Sequence, residues 1–138
     1  MREGFVEASG VRLWYEDRGH RDAEAVVLIM GATASAISWP DELLDALTAD
    51  GLRVVRFDNR DIGLSTHIDY ASEPYTLDDM ADDTVNLMDA LGIDRAHLVG
   101  ASMGGMISQI IALRFPDRVR SLGLLITSPG PDERLSPT

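Results

Sequence analysis

Ser102 is the residue around which chemistry can be built. It stands in Gly100-Ala101-Ser102-Met103-Gly104, with Gly105 next, after the apolar pair Leu98-Val99 and before a stretch of helical character. A serine with glycine two residues to either side, strand before and helix after, is the pattern of a nucleophile held on a tight strand-to-helix turn. The glycines matter because a side chain two residues from such a corner meets neighbouring backbone. The helix behind the serine turns amide donors and its positive dipole end towards the place where negative charge develops during acyl transfer. The spacing alone is a weak motif, and the flanking elements give it its weight.

The competing reading of that turn is a Gly-rich strand–helix junction in a nucleotide-binding domain. Such a domain wants G-x-G-x-x-G after its first parallel strand, and Met30-Gly31-Ala32-Thr33-Ala34-Ser35 does not supply it.

A serine hydroxyl is a poor nucleophile until a base takes its proton. The chain has three histidines, His20, His67 and His97, and none follows Ser102. His20 reads as a solvated residue of the polar turn 18–22. His97 precedes Ser102 by five residues on one strand, so it belongs to the sheet's packing layers. His67 and Tyr75 lie on a long excursion, and which way they face is open from sequence. The charged run Asp58-Asn59-Arg60-Asp61 on that excursion is read as a loop shaped by an ion pair. Arg60 would repel a metal cation, and the ligand spacing of a calcium loop is absent.

Composition narrows the classes further. The 138 residues make one domain or part of one, and 23 acidic residues against 12 basic ones leave a net charge of −11. That charge disfavours phosphate backbones and anionic membranes, so neither nucleic acid nor membrane is an expected partner. All the basic residues are arginine, which excludes Schiff-base chemistry and a Walker lysine. Without cysteine there is no disulfide, thiol nucleophile or cysteine-ligated zinc. No apolar run approaches the roughly 18 residues of a membrane span, and Met1-Arg2-Glu3-Gly4 lacks a signal-peptide core. A cytoplasmic location is expected.

The elements that must hold Ser102 alternate along the chain. Residues 3–8 and 11–17 read as a hairpin about Ser9-Gly10, with Val11, Leu13 and Tyr15 inward and Arg12, Trp14 and Glu16 outward. The apolar run Ala25–Met30 has the look of a parallel strand buried on both faces. Pro40 opens a helix with Asp41 and Glu42 in its first turn and Leu43, Leu44 and Leu47 as its stripe. Arg53–Phe57 is the next strand, completing a right-handed βαβ unit. Thr76 and Asp79 form a variant capping box. The helix behind it has its stripe at Leu77, Met80, Ala81, Thr84, Leu87, Met88 and Leu91, and Asp78, Asp82, Asp83 and Asp89 fall on a solvated face. Past Ser102, Met106, Ile107, Ile110, Ile111 and Leu113 cover most of a helix, which is therefore expected to be buried against a sheet. Val119–Thr127 reads as a last strand.

In this order the chain resembles the N-terminal half of an α/β-hydrolase. It is similar to the branch containing the non-haem haloperoxidase-like esterases and the aclacinomycin methylesterases. The stretches that carry the resemblance are Leu28-Ile29-Met30-Gly31-Ala32, Ser38-Trp39-Pro40, Phe57-Asp58-Asn59-Arg60-Asp61-Ile62-Gly63-Leu64-Ser65 and Val99-Gly100-Ala101-Ser102-Met103-Gly104-Gly105. The resemblance implies a mostly parallel sheet of about six strands with helices on both faces. Residues 1–128 would be the N-terminal portion of the core, and 129–138 a linker towards a cap and a C-terminal portion. It further implies Ser102 as nucleophile of a carboxylic-ester hydrolase, with the backbone N–H groups of Ala32 and Met103 as the oxyanion hole and Gly100 and Gly104 as the elbow glycines. The substrate would be a small-molecule ester, with no metal and no organic cofactor.

Met30-Gly31 stands where the family often has His-Gly, which keeps the backbone donor and alters the packing of its loop. Asp132 and Glu133 lie where some members carry the triad acid, and most carry it after a further strand. The catalytic histidine comes later still in the family's order, so these 138 residues are expected to be inactive alone. The strand at 119–127 is expected to offer an open apolar edge, for self-association or for pairing with a C-terminal half. The alternative is a non-catalytic binding or interaction module on the same fold.

Overall fold

The computed structural model describes residues 1–130. One six-stranded sheet organises them, in the order β1-β2-β4-β3-β5-β6. The hairpin β1 (Arg2–Ala8) and β2 (Val11–Arg18) is antiparallel, and β2 joins β4 (Arg53–Phe57) antiparallel as well. From β4 onward the sheet is parallel, through β3 (Ala25–Ile29), β5 (Ala96–Ala101) and β6 (Val119–Leu125). The expected alternation of strand and helix is therefore present, with helices on both faces.

Period-two alternation in β3 divides the core. Val26 and Leu28 turn to one face, sealed by Leu44 of α1 (Asp41–Ala49) and by Trp39 just before it. Val27 and Ile29 turn to the other, against α2 (Leu77–Ala90) and α3 (Met103–Arg114), through Met80, Leu87, Met88, Ile107 and Ile111. Every residue of β3 and β4 is buried, as a strand covered on both faces requires. The capping box of α2 is present in full, with Thr76 Oγ1 accepting from the Asp79 amide and the Asp79 carboxylate accepting from the Thr76 amide.

Four expectations need correcting. Glu16 is not on an exposed face of β2: it and Asp17 are buried, because β4 carries two buried arginines opposite them. Arg56 donates to Glu16 at 2.7 Å and to the Trp39 carbonyl, while Arg53 grips both oxygens of Asp17 at 2.8 and 3.0 Å. Burial alone pushes the Asp17 carboxyl up, but Arg53 and Arg2 outweigh it and hold the group below the usual carboxylate range. Asp83 is likewise not on a solvated face of α2. It is 1% exposed, paired with Arg60.

The third correction concerns α3. Ile107 and Ile111 are fully buried, but Leu113 is 84% exposed, so the helix is covered on one side only. The fourth is the end of β6 at Leu125 rather than Thr127; Ile126 has φ +44° and leaves the ladder. Leu122, Leu124, Leu125 and Ile126 are all exposed along this edge. Among the described residues no helix is long and apolar enough to cross a membrane.

Candidate active site

Ser102 sits where β5 ends and α3 begins, with φ +54° and ψ −120°. This is a backbone conformation that L-residues adopt only when the surroundings impose it. The surroundings are backbone. The Ser102 amide donates to the Leu125 carbonyl at 2.9 Å, and its carbonyl accepts from the Gly105 amide and the Thr127 hydroxyl. The side chain is exposed and makes no capping bond to its helix.

The elbow glycines are there because three backbones converge. A Cβ on Gly100 would run into the Gly104 carbonyl, and one on Gly104 would overlap the Ile29 carbonyl group of β3. A Cβ on Gly31 would come within 3.1 Å of the Ser102 Cβ and 3.6 Å of the Met103 nitrogen, so the loop after β3 lies directly against the serine. The Met103 amide, first in α3, has no intrahelical acceptor.

Ala32 and Met103 both border a cavity of about 610 Å³, whose far wall is Tyr75, Leu77 and Met80. Three of the five non-glycine residues with positive φ among the described residues, namely Thr33, Asp61 and Ser102, lie on the loops around it. Strain gathered at one place is a mark of functional sites; the glycine pattern points to it at Ser102 but not at Thr33 or Asp61.

The excursion after β4 is tied more closely than its composition suggested. Asp58 accepts from the amides of Ala36 and Leu64, and Asn59 donates to the Met30 carbonyl. Arg60 does form an ion pair, but with α2: its guanidinium meets both oxygens of Asp83 at 2.7 and 2.8 Å, and it lies over the Tyr75 ring. Burial pushes the Asp83 carboxyl up, and the charges of Asp79 and Asp82 add to that, so Arg60 offsets only part.

Asp61 accepts from the Ile68 amide and the Tyr75 hydroxyl. Burial and that carboxylate push the Tyr75 phenol up to about 12. Tyr75, whose direction was open, thus faces the cavity. The signal that could have flagged these residues is four polar groups in a row directly after a strand buried on both faces.

The histidines stay away from Ser102. His97 is the second residue of β5, near the strand's opposite end, bonded to Ser121 and Glu24. His67 bonds the Gly63 carbonyl and borders a separate hollow with Glu73 and Asp79. His20 is exposed beside Asp22. Asp132 and Glu133 lie outside the described residues.

Comparison with known proteins agrees with this architecture. Residues 24–136 match the family model for the alpha/beta hydrolase fold. The rhodomycin D methylesterase DauP of Streptomyces sp. (strain C5) is 40% identical over 126 residues, covering 91% of this chain and 42% of the relative. A hydrolase from Pseudomonas aeruginosa PA01 superposes with a TM-score of 0.86 at 34% identity, over 95% of this chain and 48% of that one. The enol-lactonase from Burkholderia xenovorans LB400 does so with a TM-score of 0.83 at 31% identity, over 91% of this chain and 47% of that one. The chain therefore spans about half the length of these relatives, or a little less. With its strand order, its serine at the β5–α3 corner and a family match over most of its length, the chain belongs to the α/β-hydrolase fold family.

Proposed function

We propose that this chain carries the nucleophile half of a serine hydrolase acting on carboxylic esters. Ser102 Oγ attacks the ester carbonyl carbon as a base removes its proton. The carbonyl oxygen becomes an oxyanion, received by the Met103 and Ala32 amides. Collapse expels the alcohol, which takes up a proton, and leaves an acyl-Ser102 ester. Water then cleaves that ester to the carboxylic acid and frees the serine. Base and acid come from outside the described residues, since none of their histidines hydrogen-bonds Ser102. No metal or organic cofactor is needed for these steps, and neither nucleic acid nor a membrane enters them; a cytoplasmic setting suits them.

One observation carries the reading: an exposed serine at φ +54°, at the head of a helix whose first amide is unpaired within it. Ester substrates are supported by the names of two relatives, a methylesterase and an enol-lactonase. The cavity beside Ser102 is bordered by Met80, Leu77 and Tyr75, which suits a substrate with an apolar body. The test is covalent labelling of the full-length protein by a fluorophosphonate. Ser102 takes up one equivalent, and Ser102→Ala takes up none. Turnover of ester unchanged in Ser102→Ala ends the proposal.

The alternative is a binding module on this fold; that no described histidine hydrogen-bonds Ser102 favours it only if 138 residues is the natural length. It predicts ligand binding with neither labelling nor turnover in the native protein. We also assign the open β6 edge to a further strand of the same fold, because the relatives extend well past the matched stretch. The 138-residue chain alone then self-associates through β6. A monodisperse monomer in ultracentrifugation, with full esterase activity, refutes that assignment.

A further inference from the structure

We propose that Asp58 and Asn59 are positioning residues that clamp the loop carrying the Ala32 amide against Ser102. The inference rests on the acyl-serine reading above.

The two side chains are consecutive, at the C-terminal end of β4, and both are buried, at 3% and 2% exposure. They reach opposite ends of one segment. Asn59 Nδ2 donates to the Met30 carbonyl at 3.0 Å, just before Gly31, and Asp58 Oδ1 accepts from the Ala36 amide at 2.7 Å. Between these anchors Ala32 and Thr33 form a turn with Thr33 at φ +62°, and no side chain among the described residues bonds Ala32, Thr33 or Ala34. The conformation of the stretch that bears the Ala32 donor is thus set from its two ends.

The clamp is itself braced. The second oxygen of Asp58 accepts from the Leu64 amide at 3.0 Å. Its backbone carbonyl accepts from the Ser65 hydroxyl, whose oxygen in turn accepts from the Trp14 amide of β2. Bonds in so dry a place are costly to leave unmade, which makes the arrangement stiff.

Stiffness matters here because an oxyanion donor works only within a few tenths of an ångström of its place. Misplacement by about 1 Å costs on the order of a hundredfold in rate. The clamp touches neither substrate nor hydroxyl, so its effect belongs to the transition state and not to substrate binding.

The experiment uses the full-length protein, which supplies the base and acid, with p-nitrophenyl acetate as substrate and an alkyl trifluoromethyl ketone as tetrahedral mimic. Active sites are counted by fluorophosphonate, so that a smaller folded fraction does not enter the rate. In Asn59→Asp, a near-isosteric change that removes the proton given to Met30, kcat per titrated site falls by about ten- to a hundredfold. KM stays within about twofold, and affinity for the ketone falls by the same factor as kcat. Asn59→Leu behaves alike. Asp58→Asn, which turns an NH2 towards one of two donor amides, carries the same expectation where the Asn59 variants do not fold. Unchanged kcat per site with only a lowered melting temperature overturns the clamp. Loss confined to KM overturns it too. If the wild-type protein neither labels nor turns over, the acyl-serine reading itself has failed. If the wild type does both and Asn59→Asp matches it, only the clamp has failed.

Discussion

The loops after β4 and β5 leave the same end of the parallel sheet and use their polar groups in opposite ways. After β4, Asp58, Asn59, Arg60 and Asp61 are each engaged by a named partner, from Ala36 and Met30 to Asp83 and Tyr75. After β5 there is one polar side chain, Ser102, held by its backbone at Leu125, Gly105 and Thr127 while its hydroxyl stays exposed. One loop is a scaffold in which every buried polar group is satisfied, as stability demands. The other leaves an exposed hydroxyl without a partner among the described residues, on a strained backbone. A site of this kind needs both: the free group is useful only when its surroundings cannot move.

Removing the free group gives the largest contrast. On the proposed acyl-serine reading, Ser102→Gly lowers ester turnover of the full-length protein by about 10⁴-fold or more, yet raises the free energy of unfolding by about 1 kcal/mol because glycine tolerates φ +54°. Denaturant melts alongside kinetics check it; a destabilised Ser102→Gly removes the strain argument.

Breaking the scaffold has the opposite signature. Arg60→Ala leaves Asp83 buried without its partner and destabilises the fold by about 3–5 kcal/mol. Replacing both residues by leucine recovers most of that loss, because neither charge is then buried. A double variant no better than Arg60→Ala shows that the pair does more than neutralise itself.

The smallest effect is one of pH. The phenol of Tyr75 titrates at about 12, above its ordinary 10.0. A group whose folded pKa is raised contributes stability that is complete below its unfolded value and disappears as pH climbs through the folded one. Stability should therefore decline between pH 10.0 and about 12, and Asp61→Asn should narrow that window. A spectrophotometric pH titration shows a late phenol that Tyr75→Phe abolishes, and identical curves for wild type and variant remove Tyr75 from the scaffold.

Local features were legible without coordinates. The turn at 100–104 follows from an apolar run interrupted by glycines, and the start of α2 from Thr76 and Asp79 three residues apart. Ala32 and Met103 came from family resemblance, and the structure brings them to one cavity. Two of the corrections concern pairing at a distance. Glu16 looks solvent-facing until Arg56, forty residues on, is placed opposite it, and Asp83 looks so until Arg60 arrives from another loop. Leu113 failed for the reverse reason: an apolar helix says that it can be covered, not what covers it.

Composition and periodicity thus determined the elements, their order and the corner that bears Ser102, since backbone sterics and apolar spacing act over a few residues. Only the tertiary structure decided which charges are buried, which loop rests on the serine and where strain collects. Those are set by contacts between residues far apart in the chain, whose energies depend on an enclosure that no short stretch of sequence contains.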